Sequence, residues 1–258
     1  MKFSKTLLAS ALLASAGVAQ AELSANVAAV SNYLWRGVSQ TGDKAAVQGG
    51  IDYSHESGLY AGTWASNIDF DGSDEAVDTT GDGNLDTFVS GDSKANAEID
   101  LYAGFGNDIG DTGISYDIGA IYYYYPGAGG DAQGGDLDFS EATGSLSYSW
   151  VTATVAYTFW GEVDDGPFQD GDLYYSASAD LPFEYEGFSS SVFIGRYTFD
   201  EDGDPGVGDL DYTHWGISIS KDAGDFGSFS ANYEQTNEDE AVSTDENPNF
   251  WVGWSKGF

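Results

Sequence analysis

Ile114-Ser115-Tyr116-Asp117-Ile118-Gly119-Ala120-Ile121-Tyr122 decides the fold. In an extended chain, Ile114, Tyr116, Ile118, Ala120, Tyr122 and Tyr124 share one side, and Ser115, Asp117 and Gly119 share the other. Three more stretches repeat the pattern. Ala97, Ile99, Leu101, Ala103 and Phe105 oppose Glu98 and Asp100. Val151, Ala153, Val155, Tyr157 and Phe159 oppose threonines, and Leu173, Tyr175, Ala177, Ala179 and Leu181 oppose Ser176, Ser178 and Asp180. No capped helical stripe competes with them after the first segment. The chain therefore reads as strands with one apolar and one polar face.

Extending the alternation predicts twelve strands, over 23–38, 46–55, 59–70, 95–105, 114–125, 139–149, 151–160, 172–181, 188–199, 211–220, 227–235 and 249–258. The links between them alternate in length. Short links include 55–58, a turn near Trp150, 182–187 and 221–227. The opposite links are mostly long: 71–94, 126–138, 161–171, 200–210 and 235–248. With 39–45 they hold about 25 of the 43 acidic residues. An even strand number, with short turns at one end and long loops at the other, predicts a transmembrane antiparallel up-and-down β-barrel.

Composition narrows the function. Against 43 acidic residues stand 8 basic ones, a formal charge of −35, which excludes a nucleic-acid binder. With no cysteine there is no disulfide framework, thiol catalysis or zinc–thiolate site. A 15% aromatic content argues against disorder.

The two ends agree with export to an outer membrane. Residues 1–21 read as a signal peptide: Lys2 and Lys5, an apolar run from Leu7 to Val18, then Ala19-Gln20-Ala21. Residues 22–258 would form the barrel. Phe250, Val252, Trp254 and Phe258 share one face of the last strand. A strand closing on Phe258 resembles the signal read by the outer-membrane assembly machinery, although Lys256 stands where an aromatic is usual.

Several motifs form a recognisable set. They are Ser31-Asn32-Tyr33-Leu34-Trp35-Arg36-Gly37-Val38-Ser39-Gln40-Thr41, Ala46-Val47-Gln48-Gly49-Gly50-Ile51-Asp52-Tyr53, Gly58-Leu59-Tyr60-Ala61-Gly62-Thr63-Trp64, Glu98-Ile99-Asp100-Leu101-Tyr102 and Tyr122-Tyr123-Tyr124-Tyr125-Pro126-Gly127. Together they resemble the TorF-type porin family of proteobacteria. The resemblance implies an outer-membrane channel and brings no catalytic residues with it.

Twelve strands at ~4.8 Å spacing and ~40° tilt give a backbone diameter of roughly 24 Å, so the lumen would be narrow. If Tyr33 and Trp35 face lipid, Arg36 points inward, with Asp52, Glu98, Asp100, Asp117, Asp180 and His214. Placing Phe193, Tyr197 and Phe199 outward directs Arg196 inward too, sparing a lipid-facing arginine about 2–4 kcal/mol. The expected constriction is Arg36 and Arg196 facing Asp52, Glu98, Asp100 and Asp117. Tyr60, Trp64, Tyr122, Tyr124, Tyr157, Phe159, Trp215 and Trp254 are expected to form aromatic girdles in lipid.

Other chemistry is thinly supported. Asp78 and Asp82 sit in a loop with calcium-like spacing, but Val89 occupies the place that needs Glu. Asp200, Asp202 and Asp204 lack the required Gly. The two histidines, His55 and His214, have no nucleophile motif beside them. The expectation is a porin-like, weakly cation-preferring channel for ions and small solutes, without cofactor or enzyme activity. Its partners would be outer-membrane lipid, the assembly machinery and the solutes. A plugged barrel with a surface role, or an exported soluble β protein, are the alternatives.

Overall fold

The computed structural model describes residues 22–70, 75–77, 87–89, 95–128, 137–162, 167–182, 185–200, 210–237 and 248–258. The leader expected at 1–21 lies outside them, as do Asp78, Asp82, Asp202 and Asp204. In chain order the strands are β1 (Glu22–Val30), the short pair β2 (Leu34–Trp35) and β3 (Val38–Ser39), β4 (Ala46–Ser54), β5 (Leu59–Phe70), a second short pair β6 (Glu75–Val77) and β7 (Thr87–Val89), and β8 (Ala95–Asp108). There follow β9 (Ile114–Tyr124), β10 (Phe139–Tyr148), β11 (Val151–Gly161), β12 (Leu173–Asp180), β13 (Phe188–Thr198), β14 (Tyr212–Asp222), β15 (Ser228–Thr236) and β16 (Asn249–Gly257).

Twelve of these close a barrel in the order β1-β16-β15-β14-β13-β12-β11-β10-β9-β8-β5-β4, every neighbour antiparallel. The seam is sealed between the first and last strands. Val30 pairs with Gly253 and Asn26 with Gly257, and Ala25 and Phe258 exchange backbone bonds of 3.2 and 2.8 Å. A closed sheet leaves no strand edge unsatisfied along its wall.

Period-two alternation sorts the side chains as the sequence predicts. Leu101, Ile118, Leu146 and Ile194 are each more than half exposed on the outside. Gln48, Ser66, Glu98, Ser191, Ser218 and Asn232 face inward and are buried. In the tyrosine run, Tyr122 and Tyr124 stack outside while Tyr123 and Tyr125 are buried inside. A β-bulge adds a detail that alternation hides. Glu141 pairs with Thr158 and Ser140 with Trp160, so Phe159 is the extra residue. Phe159 and Trp160 consequently both lie exposed.

One expected span is wrong. The first strand was expected over 23–38, but β1 ends at Val30, where the Ser31 N–H donates to the Val252 carbonyl and the Ser31 hydroxyl accepts from the Val252 N–H. Residues 31–45 then turn into the barrel instead of continuing its wall. Trp35 is therefore interior, and Tyr33 is almost completely buried. Neither faces lipid.

The interior consequently has two halves. At the short-turn end the wall points small hydroxyl side chains inward, among them Ser145, Ser147, Thr152, Thr154, Ser178 and Ser189. At the long-connection end the space is filled by aromatic side chains around the inward segment.

Candidate functional site: an inward hairpin and its guanidinium cage

The inward segment is a hairpin. Leu34 pairs with Ser39 and Trp35 with Val38, leaving Arg36 and Gly37 as a two-residue turn. Both have positive φ, 50° and 90°, the signature of a type I′ turn. Gly accepts this freely, whereas arginine at positive φ pays a local cost of about 1–2 kcal/mol. The hairpin base is cross-linked by side chains. Asn32 donates to Asp43 at 2.7 Å and accepts from Ser39 at 2.6 Å. Thr41, fully buried, donates to the Lys44 carbonyl at 2.6 Å and accepts from the Tyr33 N–H at 3.2 Å. The Asp69 N–H reaches the Gln40 carbonyl, tying the base to β5.

From that base the hairpin reaches across the lumen. The Tyr33 hydroxyl donates to Glu98 on β8 at 2.7 Å. Burial, then the charges of Glu98 and Asp100, raise the Tyr33 phenol well above its ordinary value, so it remains a donor. Trp35 meets Tyr123, Phe139, Phe168 and Tyr197 at centroid distances of 5.5–6.2 Å. Phe168 enters from the β11–β12 connection. Asp172 holds that connection in place by accepting the N–H groups of Phe168, Gln169 and Asp200.

Arg36 is the terminus of this reach. Its Nη1 and Nη2 each donate to one oxygen of Glu141 on β10, both at 2.6 Å. Glu141 is fully buried and also accepts from the Tyr123 hydroxyl at 3.0 Å and the Tyr197 hydroxyl at 3.4 Å. The guanidinium carbon lies 4.2 Å from the ring centroid of Trp35, 4.1 Å from that of Tyr174 and 5.1 Å from that of Tyr197. Bidentate pairing combined with cation–π contact to three rings is geometry that a lysine ammonium cannot reproduce. Beyond Arg36, Gly37 rests against β14 and β15. A Cβ there would meet Thr236 at 2.7 Å and His214 at 2.8 Å. His214 is itself buried between Glu234, 2.8 Å from Nδ1, and the Tyr174 hydroxyl, 2.9 Å from Nε2. The hairpin thus touches β8, β10, β12, β13, β14 and β15.

The family model described as "Bacterial protein of unknown function (Gcw_chp)" matches residues 14–255. The chain belongs to this family. No curated protein matches the Gcw_chp chain. Among solved structures, it is similar to one described as "KdgM porin", at 6% identity and a TM-score of 0.48, covering 91% of this chain and 98% of that one. It is also similar to Pseudomonas aeruginosa OccD3, at 14% identity and a TM-score of 0.41, over 90% of this chain and 60% of that one. For Pseudomonas aeruginosa OprD the values are 11% and 0.38, over 92% and 66%.

The Gcw_chp barrel rearranges the constriction expected from sequence. Arg36 is interior, but its partner is Glu141 and not Asp52, Glu98, Asp100 or Asp117. Glu98 instead receives Tyr33. Asp100 lies beside it, and its Oδ1 is buried without a protein partner. Asp52 accepts from the Tyr102 hydroxyl at 2.5 Å and Asn26 at 3.4 Å, and Asp117 from the Tyr60 hydroxyl at 2.8 Å. Asp180 ends β12 at the short-turn rim and is exposed. His214 is interior.

Arg196 is on the opposite face from the one expected. Tyr197 and Phe199 are buried in the interior aromatic cluster, so Arg196 points outward. There it pairs with Asp211 at 2.8 Å and Thr213 at 3.3 Å, close to the long-connection end of β13. Tyr60 and Trp64 likewise belong to the interior and not to the outer girdle: Tyr60 serves Asp117, and Trp64 packs edge-on against Tyr33 at 5.4 Å. Among the calcium candidates only Asp200 is described, and it donates its N–H to Asp172. Glu141, Glu234 and Tyr174 were not singled out from sequence. The available signal for Glu141 was a lone charge on the polar face of a strand otherwise rich in serine and threonine.

Proposed function

We propose that the protein is a narrow outer-membrane channel for ions and small solutes, throttled by its own inward hairpin. The observation that carries this is a closed twelve-stranded wall, apolar outside and polar within. An outer surface this rich in exposed leucine, isoleucine and valine is unfavourable in water by about 25 cal/mol per Å², and lipid is the solvent that removes the cost. The polar interior supports a hydrated path: Asp117 Oδ2, Thr143 Oγ1 and Ser191 Oγ are buried without protein partners. The motifs that resemble the TorF-type porins fit the same reading. The long connections would face outward from the cell and the short turns the periplasm.

Inward-facing carboxylates set the selectivity. Among the described residues Asp52, Glu98, Asp100, Asp117, Glu141 and Glu234 point into the barrel, where Arg36 is the opposing guanidinium. Such a lining attracts cations and repels anions. In planar bilayers the full chain is expected to give small conductance steps with a cation-side reversal potential under a salt gradient. An anion-side reversal would remove the selectivity, and the absence of any steps the channel itself.

Membrane embedding has its own test. Ile118 sits at mid-strand in β9 and is 57% exposed on the outer face. Ile118→Arg is expected to destabilise the barrel in lipid vesicles by about 2–4 kcal/mol, read by denaturant titration. A change near zero would mean that this face meets water.

A further inference from the structure

We propose that the cage around Arg36 is a binding site for planar guanidinium-type cations, occupied in the resting barrel by the chain's own side chain. The inference rests on the channel reading only in taking the competing solute from the lumen.

The wall supplies most of the cage. Glu141, Tyr174 and Tyr197 belong to β10, β12 and β13, and they remain when the hairpin leaves, whereas Trp35 departs with Arg36. Glu141 presents two oxygens at equal distance to two nitrogens, the fork that a guanidinium matches and a spherical ion or an ammonium does not. The guanidinium carbon lies over the Tyr174 ring, 4.1 Å from its centroid, within cation–π range. The Tyr123 and Tyr197 hydroxyls also donate to the carboxylate from the wall side, at 3.0 and 3.4 Å, and these bonds do not involve Arg36. Without a cation, Glu141 would be a buried carboxylate lacking its counter-charge, a costly state that either a proton or a matching cation relieves.

Arg36 is thus a tethered ligand. A free guanidinium compound must outcompete the effective concentration that the hairpin gives it, so the intact barrel responds at higher concentration than one lacking Arg36. Entry of the free cation releases the hairpin tip and widens the passage.

The test uses the full chain in detergent micelles with Arg36→Ala, or Arg36→Gln if the alanine variant does not fold. Melting is followed during titration with guanidinium chloride, methylammonium chloride and sodium chloride, all in the millimolar range. Guanidinium is expected to raise the melting temperature by several degrees and to saturate. The other two salts are expected to do neither, and Glu141→Gln added to either variant is expected to abolish the rise. In the unsubstituted chain, more concentrated but sub-denaturing guanidinium is expected to speed hydrogen exchange across 31–45 while leaving exchange in β8 and β9 unchanged, with sodium inactive. Equal responses to all three salts, a response that survives Glu141→Gln, or unchanged exchange in the unsubstituted chain would overturn the site. None of these readouts needs a current. A non-conducting barrel that still responds to guanidinium loses the channel reading and keeps the site, and a conducting barrel indifferent to guanidinium does the reverse.

Discussion

Arg36→Ala is expected to undock the hairpin and raise single-channel conductance severalfold. The guanidinium is only 10% exposed and its partner carboxylate fully buried. Removing one member of such a pair costs about 3–5 kcal/mol, because the other charge stays behind in the interior. The stacking on Tyr174 and Tyr197 is lost with it. That cost falls on the docked hairpin and not on the twelve-stranded wall, whose backbone bonds are untouched. Hydrogen exchange across 31–45 should therefore accelerate much more than exchange in β8 or β9. Replacing both members, Arg36→Met with Glu141→Leu, should restore much of the docking, since a matched apolar pair leaves no orphan charge. A single variant with unchanged conductance and unchanged exchange would show that the hairpin does not limit passage.

Gly37→Ala is expected to do similar damage by a different route. Its φ of 90° lies in the region an L side chain rarely adopts. The new Cβ would also lie 2.7 Å from Thr236 and 2.8 Å from His214. His214 has little room to yield, because Glu234 and Tyr174 hold both ring nitrogens. Backbone strain of about 1–2 kcal/mol and overpacking of about 1–3 kcal/mol act together. Gly42 provides the control within the same connection. It has a φ of 53°, and nothing lies within 4 Å of a Cβ placed there. Gly42→Ala should carry the backbone cost alone, leaving conductance near that of the parent. Equal conductance for the two variants would remove the close packing of the hairpin tip from the explanation.

The wall was legible in the sequence because a two-faced strand writes its environment into every second residue. Alternation located all twelve strands, and eleven of them to within a few residues. The hairpin was not legible for the same reason. Tyr33 and Trp35 alternate with polar neighbours as they would in a lipid-facing strand, and period two does not distinguish an aromatic facing lipid from one facing a packed interior. Arg36-Gly37 carried the only local hint, since Gly at the second turn position suits a type I′ turn; arginine at the first conceals it. Arg196 was misplaced because the cost of an outward arginine depends on depth. Near a strand end, with Asp211 at hand, that cost largely disappears. Tyr60 and Trp64 show the converse error: aromatic content alone says nothing about which side of the wall needs it.

The hairpin also bears on how the barrel assembles. In this meander almost every strand pairs with its predecessor in the chain, so most contacts can form locally as the strands come together. The seam between β1 and β16 is one exception, and the hairpin is the other. It leaves the wall after the first strand, yet its tip rests on β14 and β15. Arg36 and Gly37 cannot reach their final places until the sheet has curled almost completely round. Complete docking therefore requires a nearly complete ring. A barrel lacking β14 or β15, or holding them in a shifted register, would leave Gly37 without its seat, a defect that locally correct strand pairings do not reveal.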